Sequence, residues 1–411
     1  MTQHTHPEAV RLRVRRVLIL GQILTGVGMG QTLSVGALLA TELSGSPGWS
    51  GMAATIATLG AASASIPLAK MASVSGRAWS LATGSWVAGF GAGVIILSAV
   101  IRSFPLLLVG IFLIGVGTAV NLQARFAATD LSTPKTRATD LSLVVWATTV
   151  GAVGGPNLVT LGESWGTAWG LPALAGPFLI AGLAKVVAGF AYIIFLRPDP
   201  LRLAITMGST ASEDEGDGYV GGDVPRLRRL AFISLALSHA TMVAVMAMTP
   251  VHLVDHGASL AIVGLTISLH IAGMYALSPV FGILADRFGR IQVIVLGQMI
   301  LALSLFLTGL GSESEFIVLA GLILLGLGWS AATVAASALL TESTSLEKRT
   351  VMQGRSDVVM SGSGAIGGAL SGVVLLMVGY GGLSLVSLSL VAGVLIAVVW
   401  AVKQTPVSTP A

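Results

Sequence analysis

The sequence predicts an all-α polytopic membrane protein: twelve transmembrane helices arranged as two pseudo-symmetric halves of six. Three observations predict it. Of 411 residues, 54% are hydrophobic and only 10% charged, with a mean hydropathy of +0.89, whereas a water-soluble domain draws about a quarter of its residues from the charged set. Apolar runs longer than about 18 residues, the length of a spanning helix, recur between short polar connectors. The second half of the chain also repeats features of the first at a nearly fixed offset.

Reading apolar runs between polar punctuation gives spans near 15–42, 50–70, 78–101, 104–127, 139–161, 171–196, 229–253, 259–284, 291–311, 315–340, 350–378 and 381–402. The basic amino terminus, MTQHTHPEAVRLRVRR, runs into the first span without a small-residue cleavage site and reads as an anchor flank. The expected domains are an amino-terminal half, 1–196, a linker, 197–228, and a carboxy-terminal half, 229–411. The linker carries the acidic, Gly/Ser-rich stretch ASEDEGDGYVGGD, the composition of a flexible connector. Arg11, Arg16, Lys70, Arg77, Lys135, Arg137, Arg226, Arg229, Arg287, Arg290, Lys348 and Arg349 fall on one side of these spans, and essentially only Arg102 on the other. The positive-inside rule then places both termini and the linker in the cytoplasm, in a multi-pass protein of the plasma membrane.

The repeat is specific. VGIFLIGVG, with Gly110, Gly115 and Gly117, matches AGLILLGLG, with Gly321, Gly326 and Gly328, at an offset of 211. Asp130 and Arg137 match Glu342 and Arg349 at 212, and Gly76, Arg77 and Gly84 match Gly289, Arg290 and Gly297 at 213.

Other classes are excluded on chemistry. The absence of cysteine removes disulfides, thiolate metal sites and cysteine nucleophiles. The net charge of +4 sits in short loops and offers nothing to nucleic acid. No phosphate-binding loop, nucleophile elbow or zinc-protease pattern occurs. No enzyme, no resident cofactor and no ATP drive are therefore expected, and movement of a solute must draw on a gradient, with protons as a candidate coupling ion.

GILADRFGR, residues 282–290, resembles the loop signature of the major facilitator superfamily, with Asp286, Arg287, Gly289 and Arg290 at its defining positions. The first half carries a worn copy, LAKMASVSGR, in which Ser73 stands where the aspartate belongs. GAVGGP, residues 151–156, with Gly155 and Pro156, partly resembles the antiporter motif of the same family, without the glycine pair expected after it. The resemblance implies a secondary transporter working by alternating access. Physically, Asp286 beside a helix N-terminus meets the positive end of its dipole, and Arg287 and Arg290 can grip carboxylates or carbonyls, so that such contacts would latch one access state.

In such a fold the solute is held near the bilayer midplane, where polar groups are costly. Met242 lies about 20 Å along the seventh span, and His270 and Met274 about 16 and 22 Å into the eighth, at roughly 1.5 Å per residue. Met242 with Met246, and His270 with Met274, are spaced i, i+4 and share one helix face each, with His239 extending the first stripe. Thioethers with an imidazole are soft ligands suited to Cu(I). Methionine is equally an ordinary core filler, and a lone membrane histidine serves as often as a hydrogen-bond partner or proton relay. The four-residue pattern resembles the CcoA-type copper importers of the superfamily, a resemblance that implies copper as cargo, taken inward through Met242, Met246, His270 and Met274. The rival expectation is proton-coupled efflux of drugs or small metabolites, and a further one is a membrane sensor that has kept the fold without transporting.

Asp357, the deepest acid on the eleventh span, reads either as a coupling protonation site or as a partner of Arg355 or Arg125. Gln22, Gln31, Asn121, Gln123 and Asn157 read as cavity-lining groups or as interhelical hydrogen bonds. His252, Asp255 and His256 read as a polar turn or a cation-collecting one. Lys185 falls in mid-span six, where a long side chain can snorkel toward the membrane interface.

Overall fold

The computed structural model describes residues 7–45, 52–214 and 223–403. Within them the chain is helical almost throughout, with no strand among the described residues, as backbone in hydrocarbon must be when it satisfies its own hydrogen bonds. The helices are α1 (Pro7–Ser44), α2 (Met52–Ser75), α3 (Arg77–Val100), α4 (Phe104–Ala127), α5 (Arg137–Asn157), α6 (Val159–Ala168), α7 (Pro177–Phe195), α8 (Pro200–Asp214), α9 (Pro225–Asp255), α10 (Leu260–Tyr275), α11 (Ser278–Phe288), α12 (Arg290–Leu310), α13 (Glu315–Glu342) and α14 (Leu346–Lys403). Each of the twelve expected spans is helical. The fifth is divided between α5 and α6 and the eighth between α10 and α11, while α14 carries the last two as arms on either side of Gly379, whose φ of 71° interrupts it. Among the described residues eight helical segments are long and apolar enough to cross a membrane, α10 and α11 counting together as one, or up to nine if the bent α5–α6 pair also counts as one.

Large apolar side chains stand fully outward on these helices, among them Phe90, Leu310, Phe316, Leu376 and Met377. Such a surface is untenable in water and natural against lipid.

The chain divides into two compact units, which do not follow the sequence halves strictly. The first comprises Met1–Thr133, Leu143–Val220 and Leu346–Val358, and the second Pro134–Ser142, Gly221–Ser345 and Val359–Ala411. The first turns of α5 thus belong with the carboxy-terminal helices, and the first turns of α14 with the amino-terminal ones.

In the first unit, small residues let helices approach to backbone contact. A Cβ built on Gly60 would lie 2.0 Å from the carbonyl oxygen of Phe112, and one on Gly151 2.2 Å from that of Ile23, so α2 lies on α4 and α5 on α1 with no room for a methyl group. In the second unit, a Cβ on Gly326 of α13 would lie 2.4 Å from the carbonyl oxygen of His270 on α10. The stretch expected to be a flexible linker begins instead with a helix, α8, so the structured part of the chain extends past 197; residues 215–222 lie outside the described residues.

The repeat seen in sequence also appears in backbone angles. Gly76, preceding α3, has φ 94° and ψ 166°, and Gly289, preceding α12, has φ 106° and ψ 154°. Both occupy a region that L side chains rarely enter, which explains a glycine at this point of each half.

Candidate functional site

The loop between α11 and α12 is held from several sides within the second unit. Asp286 accepts from the backbone N–H of Ala138 at 3.0 Å, from that of Thr139 at 2.7 Å, and from the Thr139 hydroxyl at 2.6 Å. These are unpaired N–H groups of the first turn of α5, so the carboxylate caps that helix at its positive end. Arg290 donates to Glu342 at 2.6 Å and to the carbonyl oxygens of Ala285 and Pro134, both at 2.6 Å, and its Nη2 lies 3.0 Å from Asp286. Arg137 approaches the same Glu342 at 3.6 Å. Arg287 is exposed, its guanidinium over the ring of Phe288 at 5.5 Å. Of the two arginines expected to grip carboxylates or carbonyls, the structure places only Arg290 in that role.

The corresponding loop of the first unit is wired differently, because Ser73 cannot supply the carboxylate. Ser73 bonds back to its own helix, at the carbonyl of Lys70. Arg77 instead pairs with buried Asp130 at 2.8 Å and donates to Gln353 at 2.8 Å, tying α3 to the first turns of α14. The N-terminus of α3 is capped by Asp199, whose Oδ2 accepts from the N–H of Ala78 at 2.9 Å, while its Oδ1 accepts from Leu201 and Arg202 at the start of α8. Asp199 thus serves two helix N-termini at once. Its position inside the presumed linker concealed it in the sequence.

Deeper in the first unit lies a polar layer. Gln22 of α1 donates to the Thr148 hydroxyl of α5 at 3.2 Å and to the carbonyl oxygen of Asn121 on α4 at 3.4 Å. The hydroxyl of Thr25 lies 2.5 Å from Oδ1 of Asn121. Oε1 of Gln22 is buried and accepts nothing. Gln123 is committed elsewhere, donating to the carbonyl of Ser65 and accepting from Ser80. The side chains of Gln31, Pro156 and Asn157 lie outside the described residues; Gly155, next to Pro156, is buried. Arg125 pairs with Asp357 at 2.8 Å, both fully enclosed, and the second carboxylate oxygen of Asp357 has no hydrogen-bond partner.

Lys185 departs from the expectation of snorkelling. It is 3% exposed. A Cβ built on Gly28 of α1 would lie 2.8 Å from its Cε and 3.1 Å from its Nζ, and one on Gly117 of α4 would lie 2.6 Å from Nζ. The side chain therefore runs from α7 sideways against two neighbouring helices.

In the second unit, Met242 and Met274 are buried and Met246 is half-buried. His270 is fully enclosed, its Nδ1 2.8 Å from the carbonyl oxygen of Leu322 on α13 and its Nε2 without a hydrogen-bond partner. His239 accepts at Nδ1 from the indole N–H of Trp329 at 3.0 Å, so that nitrogen is not a free metal donor. His252 bonds to the carbonyl oxygen of Ser312 and stacks on Tyr380 with ring centroids 4.2 Å apart, a structural use of the polar turn. Among the described residues no group of three or more His, Cys, Asp or Glu side chains is arranged to hold a metal ion.

Comparison with known proteins fixes the kind of molecule. The chain is 40% identical over 367 residues to the uncharacterized MFS-type transporter YddS of Bacillus subtilis, a match covering 87% of this chain and 84% of that protein. The chain belongs to the major facilitator superfamily. The superfamily's sequence pattern, Major Facilitator Superfamily, matches residues 230–411. Another relative is the riboflavin transporter RfnT of Brucella anthropi, 29% identical over 392 residues, covering 94% of this chain and 95% of that one. Among solved structures, a bacterial homologue of the iron transporter ferroportin has the same fold, with a TM-score of 0.71 at 16% identity over 95% of this chain and 100% of the other. The protein is a secondary transporter of the superfamily, with the all-α polytopic fold expected from its sequence.

Proposed function

We propose that the protein moves a small, polar organic metabolite across the plasma membrane by alternating access, driven by an ion gradient, with both termini on the cytoplasmic side. One observation carries the substrate class. The amides of Gln22 and Asn121 and the hydroxyls of Thr25 and Thr148 form a buried hydrogen-bonding layer on three helices of the first unit, with one acceptor, Oε1 of Gln22, left open. Buried polar atoms without partners are rare and costly, and a few convergent polar groups among apolar ones are how organic solutes are oriented. The likeness to RfnT over nearly the whole chain agrees with a metabolite of that general kind. Asp286, Gly289 and Arg290 serve as the latch that forms in one access state, and Asp357 as a candidate site for the coupling proton.

Copper import is the second reading. It is favoured by the free Nε2 of His270, whose opposite nitrogen is oriented by a carbonyl as in metal-binding histidines, with Met274 one turn further along. The test compares cells carrying and lacking the protein for differences in metabolite content and in radioactive copper accumulation. A protein-dependent change in an organic solute that Asn121→Leu abolishes supports the first reading. Protein-dependent copper accumulation lost in His270→Ala, with no solute change, replaces it by the second.

A further inference from the structure

We propose that Lys185 binds an anionic group, a carboxylate or phosphate, on the transported solute; the inference rests on the metabolite-transport reading above. The lysine sits in mid-span of α7, is enclosed, and makes no hydrogen bond or ion pair with any described residue. The buried acids of the first unit among the described residues are already committed, Asp130 to Arg77 and Asp357 to Arg125, and Asp199 caps two helix ends. A buried cation without a counter-charge is one of the most expensive groups a membrane protein can hold. A lysine with no task here would curl along its own helix toward the interface, and this one does not.

Its seat is built for it. Gly28 and Gly117 leave the space that Cε and Nζ fill, and a methyl group at either position would collide with the side chain. The same face of α7 carries Tyr192, seven residues on, whose buried hydroxyl has no partner and which occupies the space left by Gly21, seven residues before Gly28. Gly117 lies one turn from Asn121, and Gly28 three residues from Thr25, so the two glycines that seat the ammonium share helix faces with members of the Gln22–Thr25–Asn121 layer. A positive charge on the same helix faces as an amide and hydroxyl layer with one open acceptor is a composition suited to a small organic acid or phosphate ester. The charge is the missing half of an ion pair whose other half arrives with the solute.

The test uses the full chain in proteoliposomes, reconstituted in both orientations under an imposed proton gradient and incubated with a soluble metabolite extract from bacterial culture. Retained solutes are identified by mass spectrometry against protein-free liposomes. The expected result is that solutes retained by the wild type carry a carboxylate or phosphate. Lys185→Met and Lys185→Gln should lower their retention by about tenfold to a hundredfold, the loss of one charge-assisted hydrogen bond. In detergent without solute, the melting temperature of Lys185→Met should equal or exceed that of the wild type, because the uncompensated charge is gone. Retention of only uncharged or cationic solutes, or equal retention by the variants, overturns the inference and leaves the transporter reading intact. A lower melting temperature together with lost retention overturns it in favour of a purely structural lysine. No retention by the wild type removes the transport reading itself, and the inference with it.

Discussion

Asp286 and Thr139 are joined twice: the carboxylate accepts from the backbone N–H of Thr139 at 2.7 Å and from its hydroxyl at 2.6 Å. Together with the bond from Ala138 this caps α5 with a charge drawn from 147 residues away along the chain. Asp286→Asn keeps the shape and removes the charge, at an expected cost of about 0.5–2 kcal/mol. Thermal unfolding in detergent should show a melting temperature lower by a few degrees, and uptake should fall because the latch closes less completely. Wild-type uptake in this variant would reduce Asp286 to a cap and nothing more.

Arg125 and Asp357 make the opposite case, an ion pair wholly removed from solvent. Removing one partner leaves the other charge stranded, a penalty of about 3–5 kcal/mol, whereas replacing both with apolar groups is often nearly neutral. Arg125→Met and Asp357→Leu should each lower the melting temperature sharply, and the double variant should recover most of the loss. Uptake driven by a proton gradient should stay absent in the double variant, since the free Oδ2 of Asp357 is then no longer there to carry a proton. Recovery of uptake alongside stability would assign Asp357 to structure alone.

The two loop glycines should respond unequally to one methyl group. Gly76→Ala and Gly289→Ala both force a side chain into positive φ, at about 1–2 kcal/mol. The new Cβ of Gly289→Ala meets the end of the Gln292 side chain, which can swing away. That of Gly76→Ala would lie 2.5 Å from Oδ2 of Asp199, a carboxylate fixed by helix N–H groups on both sides. Gly76→Ala should therefore be the more destabilising, and adding Asp199→Ala should not restore it, because the cap on α3 is then lost. Equal melting temperatures for the two glycine variants would contradict this account.

Much of the architecture could be read in the sequence because the bilayer demands it. Apolar run length marks the spans, and the repeated Gly-Arg at 76–77 and 289–290 reappears as repeated backbone angles. That Asp286 would meet a helix N-terminus could be read from its place in the loop signature, but not that the helix is α5, 147 residues away in the chain. Lys185 was not legible. Its sequence position gives depth but not direction, and a four-carbon stem can reach lipid headgroups or a neighbouring helix equally well. Only the space left by Gly28 and Gly117, residues 157 and 68 positions away in the chain, decides between them. Asp199 was hidden differently: a charged, Pro-flanked stretch reads as linker until the helix it caps is seen. Thr25 and Thr148 carried no signal, because a threonine within a spanning helix is usually bonded to its own backbone.

The Met and His stripes of α9 and α10 yield the last prediction. His270 is bound to the carbonyl oxygen of Leu322 at a point where Gly326 lets α10 and α13 touch, so the ring locks two helices together. His270→Phe should cost about 1 kcal/mol through that lost bond, measurable as a small fall in melting temperature. Radioactive copper accumulation at trace external metal should be the same in cells carrying wild type, His270→Phe, Met242→Ala or no protein at all. The retained organic solute should survive Met242→Ala with reduced rate at most, since a truncated core methionine perturbs packing without removing a hydrogen bond. Copper accumulation that depends on the protein and disappears in both variants would make the soft-ligand pair the transport site and the amide layer of α1, α4 and α5 a structural seam.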